Sequence, residues 1–214
     1  MCKDARRVVL GVVTVFAIGL IPSVAQAAVP GSLSQLPAPN NCIQPGDPSS
    51  ECGTGNGTGL VGAQDIAVSP DGKNVYVASY GDNAIVEFTR NADGSLTQLT
   101  GSNNCLAEHN STLCGTDSGY GLESPTAIIV SPDGKNVYVV GEEDRTGSIA
   151  TFTRNADGSL TELGCIEEHG GSGSGCGTTT GQGLANPYHL AITPDGRNIY
   201  VADGGRSGDE RGRV

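Results

Sequence analysis

The sequence has no tryptophan, few aromatic residues and few basic ones, and each shortage excludes a class of function. Aromatic residues make up 4% of the chain, so stacking platforms for nucleotide bases are not expected. Lys and Arg number 12 against 23 Asp and Glu, which gives a net charge of −11. A chain of this charge with no basic patch repels nucleic acid and anionic lipid. We therefore expect no nucleic-acid partner.

Helical periodicity and long apolar runs are also missing beyond the N-terminus. No segment shows a sustained helical spacing of apolar residues. No later stretch is long and apolar enough to cross a bilayer. Glycine, in contrast, supplies 33 of the 214 residues, which is typical of a chain with many turns. The composition therefore favours turns over helices.

The N-terminal segment 1–27 has the features of a secretory signal peptide. Basic residues in Met1–Arg7 precede an apolar run at 8–24, which ends in the small-x-small pattern Ala25–Ala27. We expect cleavage after this pattern, secretion or periplasmic localisation, and no membrane contact afterwards. The mature chain would carry a net charge of −13. The alternative is a retained anchor, although Gly and Pro interrupt the run and its length is marginal for a span.

Six of the seven cysteines form three close pairs, and the seventh, Cys2, lies in the predicted signal peptide. The pairs are Cys42 with Cys52, Cys105 with Cys114, and Cys165 with Cys176. An even set of paired cysteines behind a signal peptide favours disulfides in an oxidising compartment. Six cysteines allow many connectivities, and the presence of one pair per repeat favours the local one. The spacing does not match CxxC-type zinc sites, so we expect no metal.

A repeat of about 62 residues determines the predicted fold. The turn sequence Ser69–Gly72 recurs as Ser131–Gly134 and as Thr193–Gly196, and the second cysteine of each pair lies 17 residues before it. A second turn, Asn91–Leu96, returns as Asn155–Leu160. A fixed period of this size indicates a repeat architecture.

Each repeat contains four short strand signals joined by Pro-, Asp- and Gly-containing turns. In the second copy the predicted strands are Thr126–Val130, Asn136–Val140, Ser148–Arg154 and Ser159–Leu163, with a polar loop at Gly141–Gly147. Four antiparallel strands in a meander form a β-propeller blade. We therefore predict an all-β chain of propeller blades, about three repeats long.

The repeat also sets the predicted domain organisation. The segments are the signal peptide at 1–27, a lead segment at 28–41, repeat 1 at 42–104, repeat 2 at 105–164 and a partial repeat 3 at 165–214. Closed propellers have about four to eight blades, and the third unit loses the apolar positions of its third strand. Two explanations stay open: a truncated or frameshifted gene product, or short chains that assemble into a ring.

Strand parity places the two kinds of loop on opposite faces of the predicted disc. The turns between strands one and two and between strands three and four share one face. The disulfide loops and the loops between strands two and three share the other. Because this second face, the loop-rich face, carries most of the variation between copies, we expect any binding or catalytic site there.

Two sequence features resemble a known family. Asn74–Ser79 (NVYVAS) and its copies NVYVVG and NIYVAD resemble YVTN-type repeats, and Ala84–Leu99 (AIVEFTRNADGSLTQL) is similar to the third and fourth strands of lactonase-family seven-bladed propellers. This family includes 6-phosphogluconolactonase-like and muconate-cyclase-like proteins. The resemblance spans about residues 60–203. It implies a propeller fold and lactone hydrolysis, whereas the cysteine pairs depart from the family.

His189 is the candidate catalytic residue. It begins the first strand of the third repeat, where the equivalent residues are Asp65 and Ala127, so the framework does not require a histidine there. The position resembles a Pro-Arg-His segment of lactonase-family blades, in which the His lines the pocket; here Tyr188 replaces the Arg. A histidine at this place can act as general base toward a lactone-attacking water. The alternative is a structural, hydrogen-bonded imidazole.

Other polar clusters offer weaker candidates. Glu108-His109 and Glu168-His169 occupy equivalent places in two disulfide loops and could bind a divalent cation, and Glu142–Asp144 is an acidic run. Duplication alone explains the similarity of the two Glu-His pairs, and surface solvation explains the acidic run, so we expect neither a metal nor a cofactor. Two functions remain: a lactone hydrolase, or a non-catalytic extracytoplasmic propeller. The second would bind a small molecule or a protein through the loop-rich face. Other propeller blades are further expected partners.

Overall fold

The structure is a computed structural model and describes residues 33–38, 40–46, 56–109, 112–114, 116–143, 146–168, 175–176 and 180–205. The predicted signal peptide at 1–27 lies outside the described residues, and so do Cys52, His169 and residues 206–214. Among the residues that are described, no helix is long and apolar enough to span a membrane.

The described residues form fifteen strands and a single short 3-10 helix at Gly101–Asn103. In chain order the strands are β1 Gln44–Pro45, β2 Asn56–Gly57, β3 Ala63–Val68, β4 Asn74–Ser79, β5 Ala84–Arg90, β6 Leu96–Gln98, β7 Cys105–Glu108, β8 Thr116–Gly119, β9 Pro125–Val130, β10 Asn136–Glu143, β11 Thr146–Arg154, β12 Leu160–Glu168, β13 Thr180–Gly181, β14 Pro187–Ile192 and β15 Ile199–Asp203.

The first blade is an antiparallel sheet in which β3, β4 and β5 are neighbours. Both β6 and β7 pair with β5 and share the fourth position, and β8 runs parallel to β7 as a fifth strand. The turn between β3 and β4 closes through a hydrogen bond from Gly72 N–H to the Ser69 carbonyl at 2.8 Å. Gly72 has a φ of 68°, which a residue without a side chain adopts at little cost.

The second blade repeats this order as β9, β10, β11 and β12, with β13 parallel to β12. The predicted loop at Gly141–Gly147 is wrong in extent, because β10 and β11 continue their ladder to the pair Glu143 and Thr146. The fourth strand is also longer than predicted and reaches Glu168. A register shift opposite Gly164, whose φ is 136°, lets the ladder continue into the disulfide loop.

The third unit is described as far as the hairpin of β14 and β15, and any further strands of it would lie outside the described residues. On the N-terminal side, β1 and β2 pair in parallel, as β7 pairs with β8. Successive blades stack through their first strands, since β9 packs against both β3 and β14. The all-β propeller-blade architecture predicted from the repeat is therefore confirmed.

The main apolar core lies between the first two blades. Tyr76, Ala78 and Ile85 of the first blade pack with side chains of the second, including Val137 and Phe152. A second cluster lies on the other side of the first blade and contains Val75, Val77, Val86 and Phe88. Side chains that alternate along β4 and β5 thus reach opposite faces of the sheet. The sheet of the first blade therefore has apolar side chains on both of its faces.

Candidate functional site

Two of the three predicted disulfides are present on the loop-rich face. Cys105 is bonded to Cys114 with a Cα–Cα distance of 5.2 Å, and Cys165 to Cys176 with 4.8 Å. Cys42 is disulfide-bonded, and its predicted partner lies outside the described residues. These bonds indicate that the protein matures in an oxidising compartment.

The first cysteine of each described pair belongs to the fourth strand of a blade rather than to a loop. Cys105 pairs with Val86 of β5, and Cys165 pairs with Ala150 of β11. Each disulfide therefore ties the outer strand of one blade to the connection that leads to the next. The sequence repeats, whose predicted units begin at these cysteines, are offset from the blades by one strand.

A Gly-x-Gly-Leu motif that the sequence analysis did not identify shapes these connections. It begins five residues after the second cysteine of each pair, as Gly57–Leu60, Gly119–Leu122 and Gly181–Leu184. A β-carbon at Gly119 would lie 2.5 Å from Cδ1 of Leu122, and one at Gly121, whose φ is 70°, would lie 3.2 Å from Cβ of Cys165. The glycines therefore let the connection pass closely over the disulfide of the following blade. The motif could have been found in the sequence, because it follows the second cysteine of each pair at a fixed distance.

The glutamates of the candidate cation sites are engaged by the same connections. Glu108 Oε2 accepts a hydrogen bond from Leu122 N–H at 2.5 Å, and Glu168 Oε2 accepts one from Leu184 N–H at 2.7 Å. The His109 ring stacks on Tyr120 with centroids 4.9 Å apart. Within the described ranges no group of three or more His, Cys, Asp or Glu side chains could hold a metal ion. The duplicated glutamates thus have a structural role in both blades.

Glu142 and Glu143 of the acidic run Glu142–Asp144 are the last residues of β10. Glu142 N–H donates to the Glu123 carbonyl at 3.0 Å, which ties the end of β10 to the connection before β9. The side chains of Glu143 and Asp144 lie outside the described residues, so the cation hypothesis for this run stays a prediction.

His189 lies at the start of β14 and its side chain is exposed. It pairs with Ala202 of β15 just after a register shift at Pro187. The equivalent Asp65 in β3 is half-buried, and its Oδ2 accepts a hydrogen bond from Ile128 N–H of the second blade at 2.9 Å. Asp65 therefore links the first two blades, whereas the imidazole of His189 is exposed at the corresponding position.

A buried carboxylate positions the segment before His189. Asp203 Oδ2 accepts a hydrogen bond from Asn186 N–H at 2.7 Å, and its Oδ1 accepts one from Gly205 N–H at 2.6 Å. Asn186 Nδ2 in turn donates to the hydroxyl of Tyr188. Tyr188 is 47% exposed and flanks His189 in the chain. Tyr188 and His189 are thus two consecutive exposed residues at the start of β14, and the Tyr188 hydroxyl is held by Asn186.

The most strongly perturbed carboxyl group lies away from this region, between the first two blades. Burial raises the pKa of Glu87 to about 8, while a hydrogen bond from Leu160 N–H to Oε1 at 3.1 Å opposes the shift. Oε2 is buried without a hydrogen-bond partner in the described structure. Glu87 is therefore protonated at neutral pH and belongs to the blade interface.

Residues 103–203 match the family described as "Lactonase, 7-bladed beta-propeller". Among solved structures the chain resembles candidate 6-phosphogluconolactonases from Bacteroides fragilis (22% identity, TM-score 0.44, 64% of this chain and 31% of that one) and Bacteroides uniformis (22%, 0.48, 71% and 35%). It also resembles the periplasmic gluconolactonase of Pseudomonas aeruginosa (20%, 0.44, 66% and 36%). The chain spans about a third of the length of these structures. No curated protein sequence matches it.

Proposed function

Because residues 103–203 belong to the lactonase family of seven-bladed β-propellers, we propose that the chain is an exported propeller segment that hydrolyses a lactone, with His189 as the general base. The exposed imidazole at the start of β14 carries this proposal. The equivalent positions hold Asp65, whose carboxylate bonds the neighbouring blade, and the buried Ala127. Ala127 has no group that accepts a proton, and the two carboxylate oxygens of Asp65 accept backbone N–H bonds from Ile66 and Ile128.

The chemistry needs one base and one water. A water attacks the lactone carbonyl carbon while the imidazole takes its proton. The ring C–O bond then breaks, and the departing alkoxide takes the proton back from the imidazolium, giving the open hydroxy acid. Tyr188, whose hydroxyl is bonded by Asn186, lies beside the histidine in sequence and is suited to positioning a hydroxyl-rich substrate. The net charge of −11 favours a neutral lactone over a phosphorylated one.

The localisation in this proposal rests on two features. The described disulfides require an oxidising compartment, and the predicted signal peptide at 1–27 would deliver the chain to one. N-terminal sequencing of the secreted or periplasmic protein should begin at Ala28. A chain that keeps its first 27 residues and stays in the membrane fraction would contradict this part of the proposal.

The test of the hydrolase is turnover of a lactone panel by the full chain with its disulfides formed. His189→Ala should lower kcat/KM by about two orders of magnitude or more with an unchanged thermal transition. His109→Ala is the matched control, because His109 stacks on Tyr120 in a disulfide loop and should leave turnover unchanged. Equal turnover by the His189 variant and the wild type would contradict the role of His189.

A second candidate function is non-catalytic binding through the loop-rich face, which the engaged carboxylates favour. Glu108, Glu168 and Asp203 all accept backbone N–H bonds from connecting segments, so they serve structure rather than acid chemistry. If the chain is such a binding protein, panel sugars and lactones will raise the melting temperature without being consumed. Turnover that depends on His189 would reject this function.

A further inference from the structure

Two sheet faces of this chain carry, at equivalent repeat positions, residues of the two sides of the interface between its first and second blades. We call the side of the first blade that faces away from the second the front face. The side of the β14–β15 hairpin that faces away from the second blade is the back face. The interface between the first and second blades therefore shows which residues the front face and the back face would each bind.

The interface between the first and second blades contains a set of polar contacts, which we call the clasp. Arg154 of the second blade bonds Asp71 of the first through Nη2, at 3.1 Å to Oδ1 and 2.9 Å to Oδ2, and its Nε bonds Asn74 Oδ1 at 3.2 Å. Tyr76 donates its hydroxyl to the Gly158 carbonyl at 2.7 Å. One blade thus supplies Asp, Asn and Tyr, and the next supplies Arg and a turn carbonyl.

The front face carries the second half of this clasp. Arg90 and Gly94 are the repeat equivalents of Arg154 and Gly158, and the apolar side chains Ile66, Phe88 and Leu96 are identical to their counterparts in the second blade. Ile66 is 58% exposed, whereas its counterpart Ile128 is 2% exposed. The front face therefore has the residues of a blade interface, including apolar surface that is still open.

The back face carries the first half. Asp195, Asn198 and Tyr200 are the equivalents of Asp71, Asn74 and Tyr76. Asp195 is held in the same turn geometry, since its Oδ1 accepts a bond from Arg197 N–H at 3.1 Å as that of Asp71 does from Lys73 N–H. Tyr200 is 54% exposed, whereas Tyr76 is fully buried. Its hydroxyl is therefore accessible to a partner carbonyl.

The turn glycines show the same relationship. A β-carbon at Gly134 would lie 3.6 Å from Cδ of Pro70, and one at Gly196 would lie 3.6 Å from Cδ of Pro132, so each turn packs on the proline of the preceding blade. A β-carbon at Gly72 or Gly94 would meet open space in the described part of the chain. These two positions are where a preceding blade would pack on the front face.

A cavity lies on the front face. It has a volume of about 630 Å³ and is lined by Leu36 and Ile43 on one side and by Ile66, Val77, Phe88 and Leu96 of the first blade on the other. Ile43 packs on this side of the first blade, as its repeat equivalent Leu106 packs in the core between the blades. The segment with Ile43 thus occupies the place of a fourth strand on the front face.

We propose that the front face binds the β14–β15 hairpin of a second copy of this chain, head to tail. Arg90 then bonds Asp195 and Asn198 of the partner, and the partner's Tyr200 donates to the Gly94 carbonyl. The hairpin then takes the first- and second-strand positions of a blade whose fourth-strand position is held by the segment 42–46 of the other copy. An interface between two different faces of identical chains builds rings or filaments. The proposal rests on interface geometry, so it holds whether or not the chain hydrolyses a lactone.

Charge reversal tests the proposal, with sedimentation velocity of the full chain as the measurement. R90E places a second carboxylate against that of Asp195, and D195R places a second guanidinium against that of Arg90. Each variant alone should therefore associate at least about tenfold more weakly than the wild type. In an equimolar mixture, the front face of R90E meets the back face of D195R with opposite charges, so the mixture should associate more strongly than either variant alone. K135E is the control, since Lys135 is 78% exposed and contacts Asp133 of its own turn; it should associate like the wild type.

Three results would overturn the proposal. One is a wild-type chain that sediments as a monomer at tens of micromolar. Another is self-association by R90E and D195R that equals that of K135E. The third is a mixture that associates no better than its components. If R90E loses its thermal transition, R90Q replaces it, and Y200F then tests the second contact of the same interface with the same expected loss.

Discussion

The Arg154 guanidinium contacts both carboxylate oxygens of Asp71 across the interface between two blades, although 83 residues separate them in the sequence. A hydrogen bond from the Ser69 hydroxyl, with further bonds from Lys73 N–H and Arg154, holds the pKa of Asp71 well below its usual range. The Arg154 side chain is 12% exposed, so water screens the pair less than it would a surface pair. The contact therefore stabilises the interface between two blades rather than the fold of a single blade.

Arg154→Lys tests this contact. Lysine keeps the charge but cannot bond Asp71 and Asn74 together, so the free energy of unfolding should fall by about 1–2 kcal/mol. Arg90→Lys is the matched control, because Arg90 is its repeat equivalent on an exposed face. In dilute, monomeric protein it should change stability by less than about 0.5 kcal/mol. Equal losses in both variants would contradict the assignment.

Because of Glu87, the free energy of unfolding should fall as pH rises. Its pKa is raised from 4.5 to about 8, so between these values the folded chain keeps a proton that the unfolded chain has lost. The stabilisation is therefore complete below about pH 4.5 and is lost as pH rises through 8. Glu87→Gln should flatten this slope and exceed the wild type by about 1 kcal/mol or more at pH 8.5.

Urea denaturation at several pH values measures the effect. Glu162→Gln is the comparison: burial also raises the pKa of Glu162, but that side chain is only half-buried and bonds Tyr120 N–H. The Glu162 variant should keep most of the pH dependence of the wild type. A Glu87 variant whose slope matches the wild type would contradict burial of a protonated carboxyl.

Removing one disulfide should destabilise the chain without unfolding it at room temperature. The double variant Cys165→Ser with Cys176→Ser opens a loop that spans 11 positions of sequence, and the expected loss is about 2–3 kcal/mol. The Cys105 and Cys114 pair spans nine positions and should contribute a similar amount. Non-reducing peptide mapping should also find Cys42 linked to Cys52; a crosslink from Cys42 to another repeat would contradict the local pairing.

Tyr76→Phe should cost about 1 kcal/mol, because it leaves the buried Gly158 carbonyl without its donor. Tyr80→Phe removes a hydroxyl from a side chain that is 45% exposed and should be within about 0.5 kcal/mol of the wild type. Thermal unfolding of the two variants under the same conditions checks the difference. No loss in the Tyr76 variant would show that water replaces the bond.

The repeat made most of the fold predictable. Ser-Pro-Asp-Gly turns at fixed spacing locate the first hairpin of each blade, since proline and glycine determine the backbone angles locally. The fourth strand was predicted too short, because its continuation to Glu168 depends on a register shift at Gly164 and on pairing with β11. Pairing between distant residues is not visible in local sequence. For the same reason the clasp of Arg154 and Asp71 was not predicted.

The position of His189 in the chain fold was predictable, but the contacts around it were not. The repeat predicts that His189 begins the first strand of the third unit, and the structure has it at the start of β14 with its side chain exposed. The roles of Glu108 and Glu168 were not predictable, since their partners are backbone N–H groups 14 and 16 residues away. A pair of equivalent Glu-His dipeptides in the sequence does not distinguish a ligand set from a duplicated structural contact.

Each described disulfide joins cysteines that are neighbours in the order of synthesis, with sequence separations of nine for Cys105 and Cys114 and 11 for Cys165 and Cys176. In the proposed export, both cysteines of one described pair leave the translocation pore before the first cysteine of the next pair. A thiol oxidase that acts on whichever two thiols are present therefore makes the native bonds in sequence. The protein should reach its oxidised form at the same rate in cells that lack a disulfide isomerase.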